Sequence, residues 1–213
     1  MATDTDFILA TAERVRRAAA SGSSLRIRGG GSKDFYGDAL EGELLDTSPL
    51  NGVVSYEPSE LVVTALAGTP LAELESLLAA QGQCLPFEPP HFSTGATPPP
   101  LGGGTLNSGT AVGSAATVGG MVASGLSGPS RASAGAVRDF VLGVKLINGK
   151  GEHLTFGGQV MKNVAGYDVS RLMVGAMGTL GLLTEVSLKV LPTLPLEATL
   201  KFEMTQAEAL TQL

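Results

Sequence analysis

Glycine is unevenly distributed along this chain, and its placement limits what the chain can fold into. Three clusters each adjoin an apolar, β-branched run: Arg28-Gly29-Gly30-Gly31-Ser32, Thr117-Val118-Gly119-Gly120 and Gly175-Ala176-Met177-Gly178-Thr179-Leu180-Gly181. Because glycine has no Cβ, the backbone at such places turns tightly and comes within hydrogen-bonding distance of a ligand. A single phosphate needs only one nest of N–H groups, so three clusters predict one long ligand of the dinucleotide type.

The composition excludes several classes of protein. Of 213 residues, 43% are hydrophobic and 16% are charged, which allows one large domain or two small ones and argues against disorder. A net charge of −6 argues against a nucleic-acid partner, since such proteins carry basic surfaces. Cys84 is the only cysteine, so no disulfide, cysteine-based zinc site or four-cysteine iron–sulfur cluster is expected within this chain, and no metal is predicted.

The N-terminal sequence predicts neither export nor a membrane anchor. Asp4 and Asp6 lie where a secretory signal would be basic, and no apolar run is long enough to span a bilayer. Residues 112–126 are low in charge, but they consist largely of glycine, alanine, serine and threonine and therefore predict tight packing. We expect a cytoplasmic protein without a membrane span.

Hydrophobic periodicity predicts a small α/β unit before residue 88. We expect a helix over residues 6–20 stopped by Gly22, a strand over 24–28 that enters the first glycine cluster, and strands over 53–56 and 61–65. Thr69 is expected to cap a second helix that starts at Pro70 and ends at Gly82. The first helix should turn Ile8, Leu9, Ala12, Val15 and Ala19 inward, and the second should bury Leu71, Leu74, Leu77 and Leu78.

The second half of the chain begins with a long segment rich in chain breakers. Residues 88–116 predict a loop, with partial disorder over about 94–114. Thr117 precedes a short helix whose first N–H groups are expected to be free for an anion. A hairpin (140–147 and 153–156), a helix capped by Asp168, a strand (182–190), and a final strand (197–203) and helix (206–213) follow.

Three ordered stretches carry a family resemblance: Leu85-Pro86-Phe87-Glu88-Pro89-Pro90-His91-Phe92, Gly157-Gly158-Gln159-Val160-Met161-Lys162-Asn163-Val164-Ala165-Gly166-Tyr167-Asp168 and Gly178-Thr179-Leu180-Gly181. Over about residues 1–195 the chain resembles flavoproteins of the vanillyl-alcohol oxidase, or p-cresol methylhydroxylase (PCMH), type. Within that family it is most similar to the FAD-binding subunits of the glycolate oxidase-like branch. The resemblance implies an α+β, two-subdomain PCMH-type FAD-binding fold with its cap domain missing or truncated.

The same resemblance divides the chain and implies a function. Residues 1–87 and 117–195 would be the two FAD-binding subdomains, 88–116 the Gly/Pro-rich loop between them, and 196–213 the start of the cap domain. FAD would take electrons from a small 2-hydroxy acid and pass them to an iron–sulfur subunit, in a complex with a sister FAD-binding subunit. The alternative is a non-catalytic flavin-binding or assembly subunit of that complex. The location would be cytoplasmic, either free or attached to the inner membrane through partner subunits.

The resemblance also implies which residues contact FAD, and these lie in five parts of the chain. They are Ile27, Arg28, Gly29, Gly30, Gly31, Ser32 and Lys33 around the pyrophosphate; Pro86; Thr117, Val118, Gly119, Gly120, Ala123 and Ser124 at the flavin and ribityl chain; Gly135 and Val137; and Met177, Gly178, Thr179, Leu180, Gly181, Leu182 and Leu183. Ser32 stands where several relatives attach FAD through histidine, so the resemblance implies a noncovalent cofactor. Met177 replaces a glutamate of many relatives.

No residue is assigned a catalytic role from the sequence. A histidine and arginine cluster suited to taking a proton from a 2-hydroxy acid and binding its carboxylate cannot be assembled from these residues. His91, Lys162 and Tyr167 are the positions on which such a role would fall. Tyr167 is expected to bury its ring while its hydroxyl finds a partner, and His153 to be a surface or hydrogen-bonded polar residue.

Overall fold

The structure, a computed structural model, describes residues 3–36, 41–92, 116–158, 166–196, 198 and 201–212. Its helices are α1 (Asp4–Ser21), α2 (Leu71–Ala79), α3 (Val118–Ser124), α4 (Arg131–Ala134), α5 (Val137–Phe140), α6 (Val169–Leu172) and α7 (Gln206–Gln212). Its strands are β1 (Leu25–Arg28), β2 (Glu43–Asp46), β3 (Val53–Glu57), β4 (Val62–Leu66), β5 (Gln83–Cys84), β6 (Val141–Ile147), β7 (His153–Gly157), β8 (Leu182–Lys189) and β9 (Leu191–Pro192). The predicted α+β class is confirmed.

The main sheet combines strands from both halves of the chain. Its order is β3-β4-β8-β6-β7, and every neighbouring pair is antiparallel. The central register places Ala65 of β4 opposite Val186 of β8, and Val186 opposite Val144 of β6. The predicted division at residue 87 therefore does not separate the strands of this sheet, and the domain boundaries stay a prediction.

Two apolar clusters hold the elements together. The larger one covers one face of the main sheet with α2 and α3, and it includes the fully buried Leu71, Val122 and Val186. The smaller one joins α1 and β2 to the ends of β6 and β8 through Ala12, Leu45, Ile147 and Leu182. The parallel pair β1–β2 is thereby fixed beside the end of β6 and the start of β8, and the first glycine cluster follows β1 there.

The first helix starts and ends through local chemistry. Asp6 donates its N–H to Oγ1 of Thr3 at 3.2 Å, and Thr3 donates its own to Oδ2 of Asp6 at 2.9 Å, which is a capping box and starts α1 two residues before the prediction. Gly22 ends it at φ +68°, as predicted. Leu9 was predicted to point inward but is 62% exposed, because α1 covers only an edge of the core.

The start of α2 differs from the prediction. Thr69 does not cap the helix: its hydroxyl donates to the carbonyl of Gly52 and accepts the Gly52 N–H, both at 3.0 Å. Pro70 takes the cap position instead, and Leu71 donates its N–H to the carbonyl of Ala116 at 2.9 Å. Leu77 faces outward rather than into the core. The helix ends at Ala79, and Gly82 serves the turn beyond it with φ +64°.

Of the elements predicted in the second half of the chain, some are confirmed and one is not. The β6–β7 hairpin is confirmed, and so is the cap by Asp168, whose Oδ1 accepts the N–H of Arg171 at 3.0 Å. Residues 198 and 201–203 form no strand, and the rest of the predicted strand 197–203 lies outside the described residues, as does the predicted disorder of 94–114. In the part of the chain that the structure describes, no helix is long and apolar enough to cross a membrane.

Candidate functional site

One cavity of about 440 Å³ gathers the three glycine clusters. It opens where β1, α3 and the turn before β8 meet, and its volume lies within the range of roughly 300–1,000 Å³ typical of ligand clefts. The predicted FAD-contacting residues that line it are Ile27, Arg28, Gly29, Gly30, Gly31, Ser32, Lys33, Thr117, Gly119, Gly120, Ala123, Ser124, Met177, Gly178, Thr179, Gly181 and Leu183.

Close backbone approaches join the clusters in pairs. A Cβ added at Gly29 would lie 2.6 Å from Oγ1 of Thr117, which links the first cluster to α3. A Cβ at Gly178, where φ is +78°, would lie 3.3 Å from Cδ1 of Ile27. The third cluster meets α3 where Met177 donates its N–H to the carbonyl of Ala123 at 2.9 Å. Glycine at these places therefore allows three segments to share one cavity wall.

The first cluster forms a nest of unused donors, here called the glycine loop (residues 29–33). Among the described residues no backbone carbonyl or side chain accepts from the five N–H groups of this loop. Its end is closed by Arg28, whose Nη2 lies 2.7 Å from Oδ2 of Asp34 and whose guanidinium lies against Gly31. The hydrogen bond to Asp34 raises the pKa of Arg28. Successive free N–H groups beside a cation suit an anion such as a phosphate.

Lys33 adds a second cation at this loop. Its Nζ lies 3.5 Å from Oγ of the buried Ser32 and 5.8 Å from the ring centre of Phe92. No carboxylate of the described residues pairs with it, and burial lowers the pKa of its ammonium group. A bound phosphate would supply the missing negative charge and favour the protonated form.

The start of α3 corrects one expectation. Its first N–H groups are not free: Val118 donates to the carbonyl of Thr69 at 2.9 Å, Gly119 to that of Ala67 at 2.7 Å, and Gly120 to Oγ1 of Thr117 at 3.2 Å. The first two bonds hold α3 against the segment that follows β4, the third is the cap of α3 itself, and none of these donors can bind an anion without breaking its bond. The glycine loop is therefore the stronger anion site in the cavity.

Six of the predicted contact residues lie away from the cavity wall. Val118 and Val137 are buried in the larger core cluster, and Pro86 is half-buried elsewhere. Leu182 packs in the smaller cluster because neighbouring residues of a strand point to opposite faces, which leaves only Leu183 toward the cavity. The other two are Leu180, which is 48% exposed, and Gly135, which takes φ +106° after α4.

Five lining residues were not predicted: Asp34, Tyr36, Thr47, Ala67 and Met173. Asp34, Tyr36 and Met173 flank predicted segments, so extending those segments by a few residues would have found them. Thr47 and Ala67 follow β2 and β4 and carry no recognisable signal, because only the packing of the strands brings them to the cavity.

The two histidines have partners outside the cavity wall. His91 Nε2 lies 2.8 Å from Oε2 of Glu75, and His153 Nε2 lies 2.9 Å from Oγ1 of Thr184. Burial and the charge of Lys145 lower the pKa of His153. The expectation for Tyr167 is wrong, since it is 97% exposed in a surface turn before α6. Lys162 lies outside the described residues.

Comparisons with known proteins point to one family. The profile of the FAD binding domain family matches residues 9–98 and 100–157. The chain is 46% identical over 213 residues to glycolate oxidase subunit GlcE of Escherichia coli (strain K12), which covers 100% of this chain and 55% of that protein. It is 40% identical over 76 residues to glycolate oxidase subunit GlcD of Bacillus subtilis (strain 168), or 36% of this chain and 16% of that protein.

A solved structure supports the same fold. Alkyldihydroxyacetonephosphate synthase superposes with a TM-score of 0.59 at 21% identity, over 86% of this chain and 32% of that one. At this identity the likeness concerns the fold alone. The chain spans about half the length of the E. coli subunit and less of the other two proteins.

Proposed function

The chain belongs to the FAD binding domain family, and on that premise we propose that it is the FAD-binding part of a glycolate oxidase-like 2-hydroxy-acid dehydrogenase subunit. The family match confirms the resemblance read from the ordered motifs and the prediction of FAD. The observation that carries the proposal is the single cavity in which the glycine loop, α3 and the third glycine cluster meet.

The residues present fit FAD in both charge and polarity. The unused N–H groups of the glycine loop, with Arg28 and Lys33 beside them, would hold the pyrophosphate. The apolar side chains of Met173, Met177 and Leu183 would line a ring system. When bound, FAD accepts a hydride from the hydroxyl-bearing carbon of a 2-hydroxy acid. The chain's own residues bind the cofactor and exclude water from part of its surface.

Cofactor attachment is expected to be noncovalent. Ser32 is only 6% exposed, and its hydroxyl lies beside Lys33. A serine has no ring nitrogen through which FAD could be attached. Acid precipitation of the FAD-loaded protein should release the yellow chromophore into the supernatant. Added FAD should also raise the melting temperature, by an amount that grows with its concentration, because it binds only the folded state. Flavin that stays on the precipitated protein would contradict noncovalent binding.

The relatives suggest the substrate class and the partners. Two of them are named as subunits of glycolate oxidase, and glycolate is a small 2-hydroxy acid. We infer that this chain works beside a sister FAD-binding subunit and passes electrons to an iron–sulfur subunit. The alternative, a flavin-binding or assembly subunit whose sister oxidises the substrate, is favoured by the two histidines, which pair with Glu75 and Thr184 away from the cavity.

Anaerobic mixing with glycolate separates these two roles. We expect the FAD-loaded chain by itself to keep its visible flavin absorbance, because the positioning of a base and a carboxylate partner is worth many kcal/mol of barrier. The described lining residues of the cavity include no histidine, and its cations Arg28 and Lys33 lie at the glycine loop proposed for the pyrophosphate. Loss of absorbance on adding the sister subunit would support the proposed complex. Glycolate-dependent dye reduction by this chain alone, abolished when FAD is removed, would assign the chemistry to its own residues.

A further inference from the structure

The segment 88–92 runs from the core to the glycine loop and is fixed where it leaves the core. Phe87 is fully buried, and its carbonyl accepts the N–H of Gly128 at 2.8 Å. The carboxylate of Glu88 accepts the N–H of Ser130, also at 2.8 Å. The course of the segment is therefore set by residues distant in sequence.

The far end of the segment connects α2 to the glycine loop. His91 is held by Glu75 of α2 with an Nε2–Oε2 distance of 2.8 Å, and the two side chains are 19% and 35% exposed. The next ring, Phe92, meets Phe35 edge to face at a centroid distance of 5.2 Å and an angle of 75°. Its face also lies toward Lys33, with 5.8 Å between Nζ and the ring centre. Two consecutive residues thus bridge a helix and a cationic side chain of the cavity.

An aromatic ring suits this place better than a carboxylate would. The ring's negative face attracts the ammonium group and orders the flexible lysine stem, yet it does not neutralise the charge. A carboxylate partner would compete with the phosphate for the same ammonium group. The contact with Phe92 therefore leaves the Lys33 ammonium group without a carboxylate that would compete with an anion in the cavity.

We propose that Phe92, oriented by the Glu75–His91 pair, is a positioning residue that holds the Lys33 ammonium group next to the backbone N–H groups of the glycine loop for the pyrophosphate of FAD. The inference rests on the proposed function and identifies one residue that determines how tightly the chain binds FAD. It predicts that Phe92 affects ligands that carry a pyrophosphate and leaves the binding of an isolated flavin ring unchanged.

The test compares FAD, ADP and riboflavin by isothermal titration with the purified chain. Phe92→Leu keeps an apolar side chain but removes the ring, and it should weaken FAD and ADP about 5-fold each while riboflavin binding stays unchanged. Phe92→Tyr should restore the wild-type affinities. Phe202→Leu is the matched control, because Phe202 is 55% exposed and does not line the cavity. Glu75→Gln should weaken ADP binding less than Phe92→Leu does. It also tests the inference if Phe92→Leu does not fold.

A double-mutant cycle tests whether Phe92 acts through Lys33. In a Lys33→Met background, Phe92→Leu should cause no further loss of ADP affinity. An equal loss in both backgrounds, an equal loss for riboflavin, or an unchanged FAD affinity in Phe92→Leu would overturn the inference while leaving FAD binding intact. A wild-type chain that binds neither FAD nor ADP would instead contradict the proposed function.

Discussion

Replacement of Gly31 by valine is expected to weaken FAD binding about 100-fold. Gly31 has φ +72°, a conformation that costs a residue with a side chain roughly 1–2 kcal/mol and a β-branched residue more. Its new Cβ would overlap the Arg28 guanidinium, so either the loop or the Arg28–Asp34 pair must move. The strain lowers the stability of the loop with or without FAD, whereas the 100-fold loss of affinity, about 3 kcal/mol, corresponds to the loss of one or two charge-assisted bonds to phosphate at about 1.5–3 kcal/mol each.

A second glycine in a turn serves as the control for this substitution. Gly149 has open space around its Cβ position and no positive φ, so Gly149→Val should change FAD affinity less than about 2-fold. Both affinities can be measured by quenching of flavin fluorescence, and melting of the FAD-free proteins reports strain that does not involve the cofactor. Equal affinities of the two variants would place the cofactor elsewhere.

Gly119→Val should lower the free energy of unfolding by about 3 kcal/mol even without FAD. A Cβ at Gly119 would lie 2.8 Å from Cβ and 2.9 Å from the carbonyl oxygen of Ala67, the same carbonyl that its N–H binds. Helix α3 must then move away from β4, which combines overpacking at about 1–3 kcal/mol with a lost hydrogen bond at about 1 kcal/mol. For a chain of this size the melting temperature should fall by roughly 6–12 °C.

The neighbouring glycine separates packing from cofactor contact. A Cβ at Gly120 would meet only Oγ1 of Thr117, at 3.1 Å, so Gly120→Ala should cost less than about 1 kcal/mol in urea denaturation of the FAD-free protein. If Gly119→Val leaves the stability of the FAD-free protein unchanged but weakens FAD binding, then Gly119 serves the cofactor and not the contact of α3 with β4.

Local patterns were sufficient where the physical cause is also local. The end of α1 at Gly22, the hairpin of β6 and β7, and the Asp168 cap depend on interactions within a few residues, and all three were predicted within about two residues. The glycine loop belongs to the same class, because tight turns with φ near +72° favour glycine whatever surrounds them.

Other features depended on contacts between distant segments. Thr69 was expected to cap a helix, but its hydroxyl is hydrogen-bonded to the backbone of Gly52. The N–H groups predicted to be free at the start of α3 donate to the carbonyls of Ala67 and Thr69. A buried hydrogen-bonding group pairs with the partner that tertiary packing brings within reach, and the neighbouring sequence does not predict which partner that is.

The sequence by itself determined where the three glycine-rich segments lie and predicted one extended ligand from them, and its ordered motifs identified the FAD-binding family. The tertiary structure alone decided that β4 pairs with β8, a strand far along the chain, which brings Ala67 to the cavity, and that Leu183 rather than Leu182 faces it. The physical reason is that periodicity specifies which faces of a segment are apolar, whereas the partner and register of each face are set by packing between segments far apart in the chain.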